Sequence, residues 1–299
     1  MQPGIAVVAN PLAGRGRAAR LVEPVVARLA DSGVAARVLI GGDREDSARL
    51  CRQAVEDGAS ALAVLGGDGM VHLGLQAVAG GRTPLGIVPT GTGNDFATCL
   101  GIPADIDAAV DVLLAGAVRV VDAVRSADDR GETQWWACVL GAGFDSAVNE
   151  RANRMRRPRG PRRYDVAIFA ELLRLRARPF VLEVDGRREE LLANFIAVGN
   201  AASYGGGMRI APAADLSDGQ LDVTIVGPVS RLDMVRFKPM VYSGTHVQHP
   251  SVSTRRGRVI RLDGAGQVAY ADGERLAALP VNCECVPGAL RVLAPSAEP

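Results

Sequence analysis

Three glycine-rich segments in the first third of the chain have the composition of phosphate-binding loops. They read NPLAGRG at 10–16, GGDG at 66–69 and PTGTGNDF at 89–96. Glycines let backbone N–H groups approach a phosphate closely, and a helix that starts after the loop adds a favourable dipole. One such loop is weak support, because a tight turn also needs small residues. Three successive loops of this kind favour a site for a polyphosphate.

Two aspartates in these segments need an explanation, because a carboxylate repels phosphate. Asp68 lies inside GGDG, and Asp95 follows Asn94 in the third segment. A Mg²⁺ ion between carboxylate and phosphate would remove the repulsion. The alternative is that each carboxylate caps the helix that follows, which for Asp68 would begin at Met70. The hydroxyl of Thr92 can donate to a phosphate oxygen, so the segment offers both kinds of contact.

A second set of oxygen ligands lies in the other half of the chain. Asp215 and Asp218 are three residues apart, and the Gln220 carbonyl follows in a glycine-containing turn. These are the hard oxygen donors that Mg²⁺ prefers. Asp, Ser and Gly also dominate ordinary surface turns, which is the alternative interpretation.

A predicted strand precedes each glycine-rich segment and would fix its position. Apolar runs at 5–9, 36–40, 61–65 and 85–89 predict four strands, and the stretches after them predict helices. This alternation is typical of an open parallel sheet whose loops share one edge, where ligands bind.

From about residue 123 the pattern changes to short alternating runs between turns, which predicts antiparallel β-structure. One helix is expected there, at about 163–177. The chain should therefore form an α/β domain at 1–122, to which residues 291–299 could return, and a β-rich domain at 123–290.

Several segments together resemble one family. NPLAGRG, GGDG and PTGTGNDFA, followed by GAGFD, IAVGNAASYGGGMRIAP, ADLSDGQLDV and YADGE, are similar to the catalytic domain of diacylglycerol kinases, a family that includes sphingosine and ceramide kinases. The resemblance covers most of the chain. It implies an NAD kinase/diacylglycerol kinase-like α/β domain that binds ATP and a C-terminal antiparallel β-sandwich that binds the lipid and a metal ion.

The resemblance also implies residue roles. Asp272 of the YADGE segment would be the general base that accepts the proton of the diacylglycerol hydroxyl, with Glu274, Asp68 and Asp95 as further acids of the catalytic site. Asp215, Asp218 and Gln220 would hold a structural Mg²⁺. The expected ATP-binding residues are Asn10, Pro11, Gly14, Gly16, Gly66, Gly67, Asp68, Gly69, Thr90, Gly91, Thr92, Gly93 and Asn94.

The sequence departs from the family pattern just after GGDG. The family usually has a threonine and a Val-Asn-Glu run, where this chain has Met70, Val71, His72 and Leu73. A hydroxyl and an acid are therefore missing, which would suit a catalytically silent lipid-binding regulator. Two further candidates are a kinase for a sphingoid base, ceramide or monoacylglycerol, and an NAD kinase, which shares GGDG but lacks PTGTGNDF.

Net charge and its distribution limit the kinds of partner that the chain can bind. The net charge of +1 gives no general attraction to nucleic acid, but the stretch between Arg151 and Arg178 holds ten arginines and two acids. Such a stretch suits an anionic membrane surface. The alternatives are a nucleic-acid patch, which the few interleaved aromatic residues disfavour, and a solvated face. No apolar run reaches the ~20 residues of a membrane span. We expect a cytoplasmic protein with peripheral membrane contact, five reduced and buried cysteines, and an oligomeric state that could be a homodimer.

Overall fold

The computed structural model describes residues 4–10, 17–155, 157 and 162–296. The chain divides into two compact units. The first comprises the residues up to Ala123 and those from Val286 onwards, and the second comprises Val124–Cys285. Among the described residues, no helix is long and apolar enough to cross a bilayer. Arg156 and Arg159 of the basic stretch lie outside the described residues.

The first unit is built on a parallel sheet. Its strands and helices are β1 (Ile5–Ala9), α1 (Arg17–Asp31), β2 (Ala36–Ile40), α2 (Arg44–Glu56), β3 (Ala61–Gly66), α3 (Asp68–Val78), β4 (Leu85–Pro89), α4 (Asp95–Cys99) and α5 (Ile106–Ala115). The strands run in the order β2-β1-β3-β4, and every pair among them is parallel. All four predicted strands are confirmed, and β3 extends one residue further than expected.

Apolar burial explains why this unit forms. Every residue of β1, β3 and β4 is buried, which is the pattern of central strands covered by helices. Helix starts are marked by acids: Asp43 accepts the N–H of Asp46 at α2, and Asp105 accepts the N–H of Ala108 at α5. Because the strands are parallel, the loops that follow β3 and β4 lie at the same edge of the sheet.

The second unit is mainly antiparallel. The elements that follow α5 are β5 (Val118–Asp128), β6 (Thr133–Trp136), β7 (Val139–Gly143), α6 (Phe144–Arg154), α7 (Arg162–Leu173), β8 (Arg178–Val184), β9 (Arg187–Ala193), β10 (Phe195–Gly199), β11 (Leu221–Val226), α8 (Arg231–Ser243), β12 (Val252–Gly257), β13 (Val259–Asp263), β14 (Val268–Ala271), β15 (Glu274–Ala278) and β16 (Val281–Leu293). One sheet has the order β12-β11-β10-β7-β14-β15. Strand β13 pairs with β8 and with the start of β16, and β8 pairs with β9. The predicted antiparallel second half is confirmed.

A large apolar cluster lies between the strands of the second unit. It joins residues of the six-stranded sheet, such as Leu140 and Val223, to residues of the other strands, such as Leu182 and Leu262. Trp136 is fully buried in it and donates its indole N–H to Ser126 Oγ at 2.7 Å. This shared interior is the arrangement of two packed sheets.

Three details of the sequence prediction are wrong. The expectation of one helix in the second half fails, because α6 and α8 accompany α7, and α7 ends four residues earlier than predicted. Helix α8 contains Pro239 and has Phe237 as its single buried residue, so its sequence lacks the apolar stripe that marks a helix packed on a core. Four of the five free cysteines are buried as expected, but Cys99 is partly exposed.

Candidate functional site

The loops after β3 and β4 of the first unit are joined by Asp68. Its carboxylate accepts the N–H of Asn94 at 2.9 Å and the N–H of Asp95 at 2.7 Å. Helix α3 begins at Asp68 itself, and its capping residue, Gly67, makes no side-chain bond. The alternative that Asp68 caps its own helix is therefore wrong. Its carboxylate instead satisfies backbone donors at the start of α4.

The glycines of these loops are needed for close backbone packing. A Cβ added to Gly67 would lie 2.9 Å from the Cα of Gly91, and a Cβ on Gly91 would lie 2.6 Å from the Cα of Gly67. A Cβ on Gly93 would lie 2.6 Å from Asp68 Oδ2. Asn94, at φ 53°, closes the loop after β4. Its Oδ1 accepts the N–H of Gly91, and its Nδ2 donates to the Gly91 carbonyl. Packing between the loops is thus one physical reason for this glycine pattern.

The electrostatics of this edge fit a cation. Burial, and next the like charge of Asp95, raise the pKa of Asp68 above its ordinary value, against the backbone N–H groups of Asp95, Asn94 and Asp68 itself, which lower it. Two neighbouring carboxylates of this kind supply hard oxygen donors for Mg²⁺. Thr90 Oγ1 is buried and, among the described residues, has no hydrogen-bond partner, so it can serve a ligand.

Four more of the residues that the sequence predicts to bind ATP differ in their exposure. Thr92 is exposed, Gly66 is buried beneath the loop, and Gly69 and Asn10 are half-buried. Pro11, Gly14 and Gly16 lie outside the described residues. The structure therefore brings together the second and third predicted loops.

The residues that depart from the family pattern are buried side chains of one helix. Met70, Val71, His72 and Leu73 are all buried in α3. A Cβ on Gly66 would lie 2.4 Å from Met70 Cγ, so the methionine packs directly under the loop. Because these four side chains are buried, we expect their substitution to affect packing more directly than contact with phosphate.

Asp272 of the second unit lies in the turn between β14 and β15. Its carboxylate accepts three backbone N–H groups, from Ala137 at 2.7 Å, Cys138 at 2.9 Å and Val139 at 3.1 Å. Its own N–H donates to the Val139 carbonyl, and its φ is 50°. Three donors hold the carboxylate in one orientation. Glu274, the first residue of β15, is half-buried two positions later.

The same arrangement occurs at Asp185, in the turn between β8 and β9. Asp185 also has a positive φ, of 47°, and also precedes a glycine. Its carboxylate accepts the N–H groups of Arg258 and Val259, and its N–H donates to the Val259 carbonyl. A turn aspartate whose carboxylate accepts backbone N–H groups, which we call a carboxylate cradle, therefore occurs twice in this unit. It stabilises a turn and does not by itself mark a catalytic group.

Asp215 and Asp218 lie between β10 and β11 and make local bonds. Asp215 Oδ1 accepts the N–H and the hydroxyl of Ser217, and Asp218 Oδ1 accepts the N–H of Gln220. Asp218 Oδ2 pairs with the Arg256 guanidinium. Among the described residues, no cluster of three or more His, Cys, Asp or Glu side chains is placed to hold a metal ion.

One buried carboxylate oxygen beside this segment lacks a hydrogen bond to the described part of the chain. Asp222 Oδ2 is buried and has no hydrogen-bond partner among the described residues, and Arg256 Nε lies 3.8 Å from it. Burial raises the pKa of Asp222, Arg256 lowers it and Asp218 raises it further. The donors are therefore of the right chemical type for Mg²⁺, but a metal ion would compete with Arg256 for Asp218.

Sequence reasoning missed one acid of the second unit, Asp145. It follows GAGF, in the first turn of α6, and a Cβ on Gly141 would lie 2.7 Å from its Oδ2. Burial raises the pKa of Asp145 to about 6, against a hydrogen bond with Tyr204 that lowers it. The available signal was an acid placed directly after a strand that ends in glycines. The same pattern drew attention to Asp68.

Asp145 should make stability depend on pH. A carboxyl whose pKa is higher in the folded state than in the unfolded chain binds its proton more tightly when folded, so stability is lost as pH rises from 3.8 to about 6. Asp145→Asn should therefore raise the free energy of unfolding at pH 7.5, by at most about 3 kcal/mol. Denaturant unfolding of both proteins from pH 4 to 8 measures this. A constant difference between them across that range would contradict it.

Comparison with solved structures establishes the class of fold. A crystal structure of a diacylglycerol kinase from Bacillus anthracis is 21% identical, with a TM-score of 0.76, and covers 98% of this chain and 97% of its own. At that identity the likeness concerns the fold alone. The family model described as "YegS C-terminal NAD kinase beta sandwich-like domain" matches residues 138–294. The class is therefore the diacylglycerol kinase-like one, with an α/β unit and an antiparallel unit.

Sequence relatives then show the family. The model described as "Diacylglycerol kinase catalytic domain" matches residues 4–126. A diacylglycerol kinase of Mycobacterium tuberculosis is 43% identical over 294 residues, which is 97% of this chain and 95% of the relative. A diacylglycerol kinase of Staphylococcus aureus is 25% identical over 282 residues, 92% of this chain and 87% of the relative. This chain belongs to the diacylglycerol kinase family and is a lipid kinase.

Proposed function

We propose that this protein transfers the terminal phosphate of ATP to the hydroxyl of diacylglycerol and forms phosphatidic acid. The observation that carries the proposal is the pair of interlocked loops in the first unit, where Asp68 bonds the start of α4 and Gly67 packs on Gly91. Family membership supplies the lipid as acceptor, and the relative of 43% identity bears the name diacylglycerol kinase.

In this proposal the first unit binds ATP. Backbone N–H groups of the glycine-rich loops contact the phosphates, and the hydroxyls of Thr90 and Thr92 donate to phosphate oxygens. Asp68 and Asp95 would hold Mg²⁺, which supplies positive charge to the phosphates. Asp68 keeps the loop after β4 in place at the same time.

Asp272 accepts the proton of the lipid hydroxyl in this proposal. The hydroxyl oxygen forms a bond to the γ-phosphorus, the bond from that phosphorus to the bridging oxygen breaks, and its electron pair leaves with ADP. An alcohol is a poor acid, so the proton moves to the carboxylate late, as negative charge passes to the phosphate. The three N–H groups around Asp272 fix the direction of its carboxylate. Glu274 serves as the neighbouring acid.

We also propose a structural Mg²⁺ on Asp215, Asp218 and the Gln220 carbonyl, in competition with Arg256. Arg256→Ala removes the competing cation, so Mg²⁺ should raise the melting temperature of this variant at roughly tenfold lower concentration than for the parent. Thermal unfolding in a Mg²⁺ series, against a chelator baseline, measures the effect, and Asp218→Asn should abolish it. Equal curves for parent and Arg256→Ala would remove the metal from this site.

A single assay tests the function. Purified protein with radiolabelled ATP and Mg²⁺ is offered diacylglycerol, monoacylglycerol, sphingosine, ceramide and NAD, with the lipids in mixed micelles. We expect labelled phosphatidic acid as the main product. Preferential labelling of another alcohol would move the proposal to that acceptor, and an absence of any labelled product would favour the silent regulator.

A further inference from the structure

The backbone segment that forms the carboxylate cradle of Asp272 is held from two sides. Its three N–H groups belong to residues 137–139, at the start of β7. In the six-stranded sheet, β7 lies between β10 and β14. Strand β14 ends just before Asp272, and β10 ends just before Asn200. Because both strands pair antiparallel with β7, Asn200 and Asp272 reach the same segment from opposite sides.

Asn200 holds the carbonyl groups of this segment. Its Nδ2 donates to the Ala137 carbonyl at 2.7 Å, and its backbone N–H donates to the Cys138 carbonyl at 2.9 Å. The N–H of Ala201 donates to the same Cys138 carbonyl at 3.0 Å. Asn200 is fully buried, and a buried amide is tolerated only when its hydrogen bonds are made. The side chain of Asn200 is therefore the group that binds the Ala137 carbonyl.

These contacts also fix the direction of the N–H groups in the cradle. In a trans peptide the C=O and the N–H of one planar unit point in opposite directions. The Ala137 carbonyl shares a trans unit with the Cys138 N–H, and the Cys138 carbonyl shares the next one with the Val139 N–H. Asp272 Oδ1 accepts these two N–H groups at 2.9 and 3.1 Å. Each unit is thus held at its carbonyl by Asn200 and at its N–H by Asp272.

The cradle of Asp185 is held in another way. Its donors are the N–H groups of Arg258 and Val259. The Arg258 carbonyl, which shares a peptide unit with the Val259 N–H, accepts the backbone N–H of Cys285 at 3.0 Å. A backbone contact between strands is therefore enough to hold a turn aspartate of this kind. The buried side-chain amide behind Asp272 needs a further reason.

We propose that Asn200 is a positioning residue for the phosphoryl transfer. Its amide sets the plane of the peptide between Ala137 and Cys138, and this plane directs the Asp272 carboxylate towards the lipid hydroxyl. The inference rests on the proposed function, in which Asp272 is the base, and Asn200 acts only through Asp272. A general base must lie within hydrogen-bond reach of the proton that it accepts, so a small rotation of the carboxylate lowers the rate.

Asn200→Ala tests the role of the amide, because it leaves the backbone donors to Cys138 in place. Asn194→Ala is the matched control. Asn194 is also a buried asparagine, and it lies at the opposite end of β10, where its Oδ1 accepts the N–H of Val229 at 2.8 Å. With rates normalised to the folded fraction, Asn200→Ala should lower kcat about tenfold and keep the KM for ATP within about twofold. Asn194→Ala should keep both values, and equal kcat in the two variants would contradict the proposal.

A double-mutant cycle separates positioning from a general loss of structure. In a chain that already carries Asp272→Asn, Asn200→Ala should cause no further fall in kcat, because Asn200 acts through the carboxylate that has been removed. A fall of the same size in both backgrounds would overturn the positioning role. Asn200→Leu keeps most of the side-chain volume without a donor, and it takes the place of Asn200→Ala if that variant does not fold.

Hydrogen exchange of the backbone amides at 137–139 tests the contact without any substrate. The Cys138 and Val139 amides should exchange about tenfold faster in Asn200→Ala than in Asn194→Ala, because one of the two peptide units is no longer held at its carbonyl. Equal exchange in the two variants would overturn the inference whatever the activity. A parent that shows this difference but phosphorylates no lipid would end the proposed function and leave the hold of Asn200 on the cradle standing.

Discussion

Asp272→Asn should lower kcat by about a hundredfold to ten-thousandfold, the usual contribution of a positioned general base. An amide cannot accept the hydroxyl proton, whereas in the proposed function other residues bind ATP, so the KM for ATP should stay within about twofold of the parent. The same change should also lower stability, because the amide nitrogen would face the N–H of Ala137 or of Cys138 and Val139. Initial rates, normalised to the folded fraction, measure the catalytic loss by itself.

Asp185→Asn is the matched control for this experiment. Asp185 shares with Asp272 the positive φ, the following glycine and the carboxylate cradle. It should therefore lose some stability while keeping kcat near that of the parent. If the two variants lost activity equally, the effect of Asp272→Asn would be structural and the assigned base would be wrong.

Gly91→Ala should lower kcat/KM for ATP by about a hundredfold, the size of effect that a displacement of about 1 Å can have on aligned groups. The new Cβ would lie 2.6 Å from the Gly67 Cα and 2.7 Å from Asn94 Oδ1, so the two loops must separate. Overpacking of this kind also costs roughly 1–3 kcal/mol of stability. Nucleotide titration and thermal unfolding together measure the two losses.

Gly42→Ala is the corresponding control in the first unit. Gly42 lies in the loop after β2, and the nearest atom to an added Cβ is 3.9 Å away, on Asp46. The stability change should stay within about 0.5 kcal/mol, and ATP use should not change. A similar loss of ATP use in both variants would mean that any glycine of these loops tolerates no side chain, and the argument from packing between Gly67 and Gly91 would fail.

The sequence predicted the parallel sheet well because its strands are continuous apolar runs. Strands β1, β3 and β4 are buried along their whole length, and a glycine-rich segment of the sequence marks where each of them ends. Helix α8 could not be predicted in the same way, because its apolar side chains face outward and only Phe237 is buried. Apolar periodicity identifies a helix that packs one apolar face on a core, and α8 has no such inward apolar face.

The candidate site was predictable as a set of residues but not as a set of contacts. The spacing of GGDG and PTGTGND placed Asp68 and Asp95 in neighbouring loops. The spacing could not show that the Asp68 carboxylate accepts hydrogen bonds from the backbone of the next loop. Such bonds depend on β3 and β4 being neighbours in the sheet and on the distance between them. For the same reason it could not reveal that Arg256, on the strand paired with β11, reaches Asp218.

The carboxylate cradle of Asp272 has a consequence for experiments in living cells. A residue that fastens one hairpin to a neighbouring strand also governs how much intact enzyme accumulates, because poorly fastened chains are degraded. A strain that carries a substitution at this position would show too little lipid kinase product for two reasons at once. Complementation by such alleles therefore reports abundance multiplied by turnover.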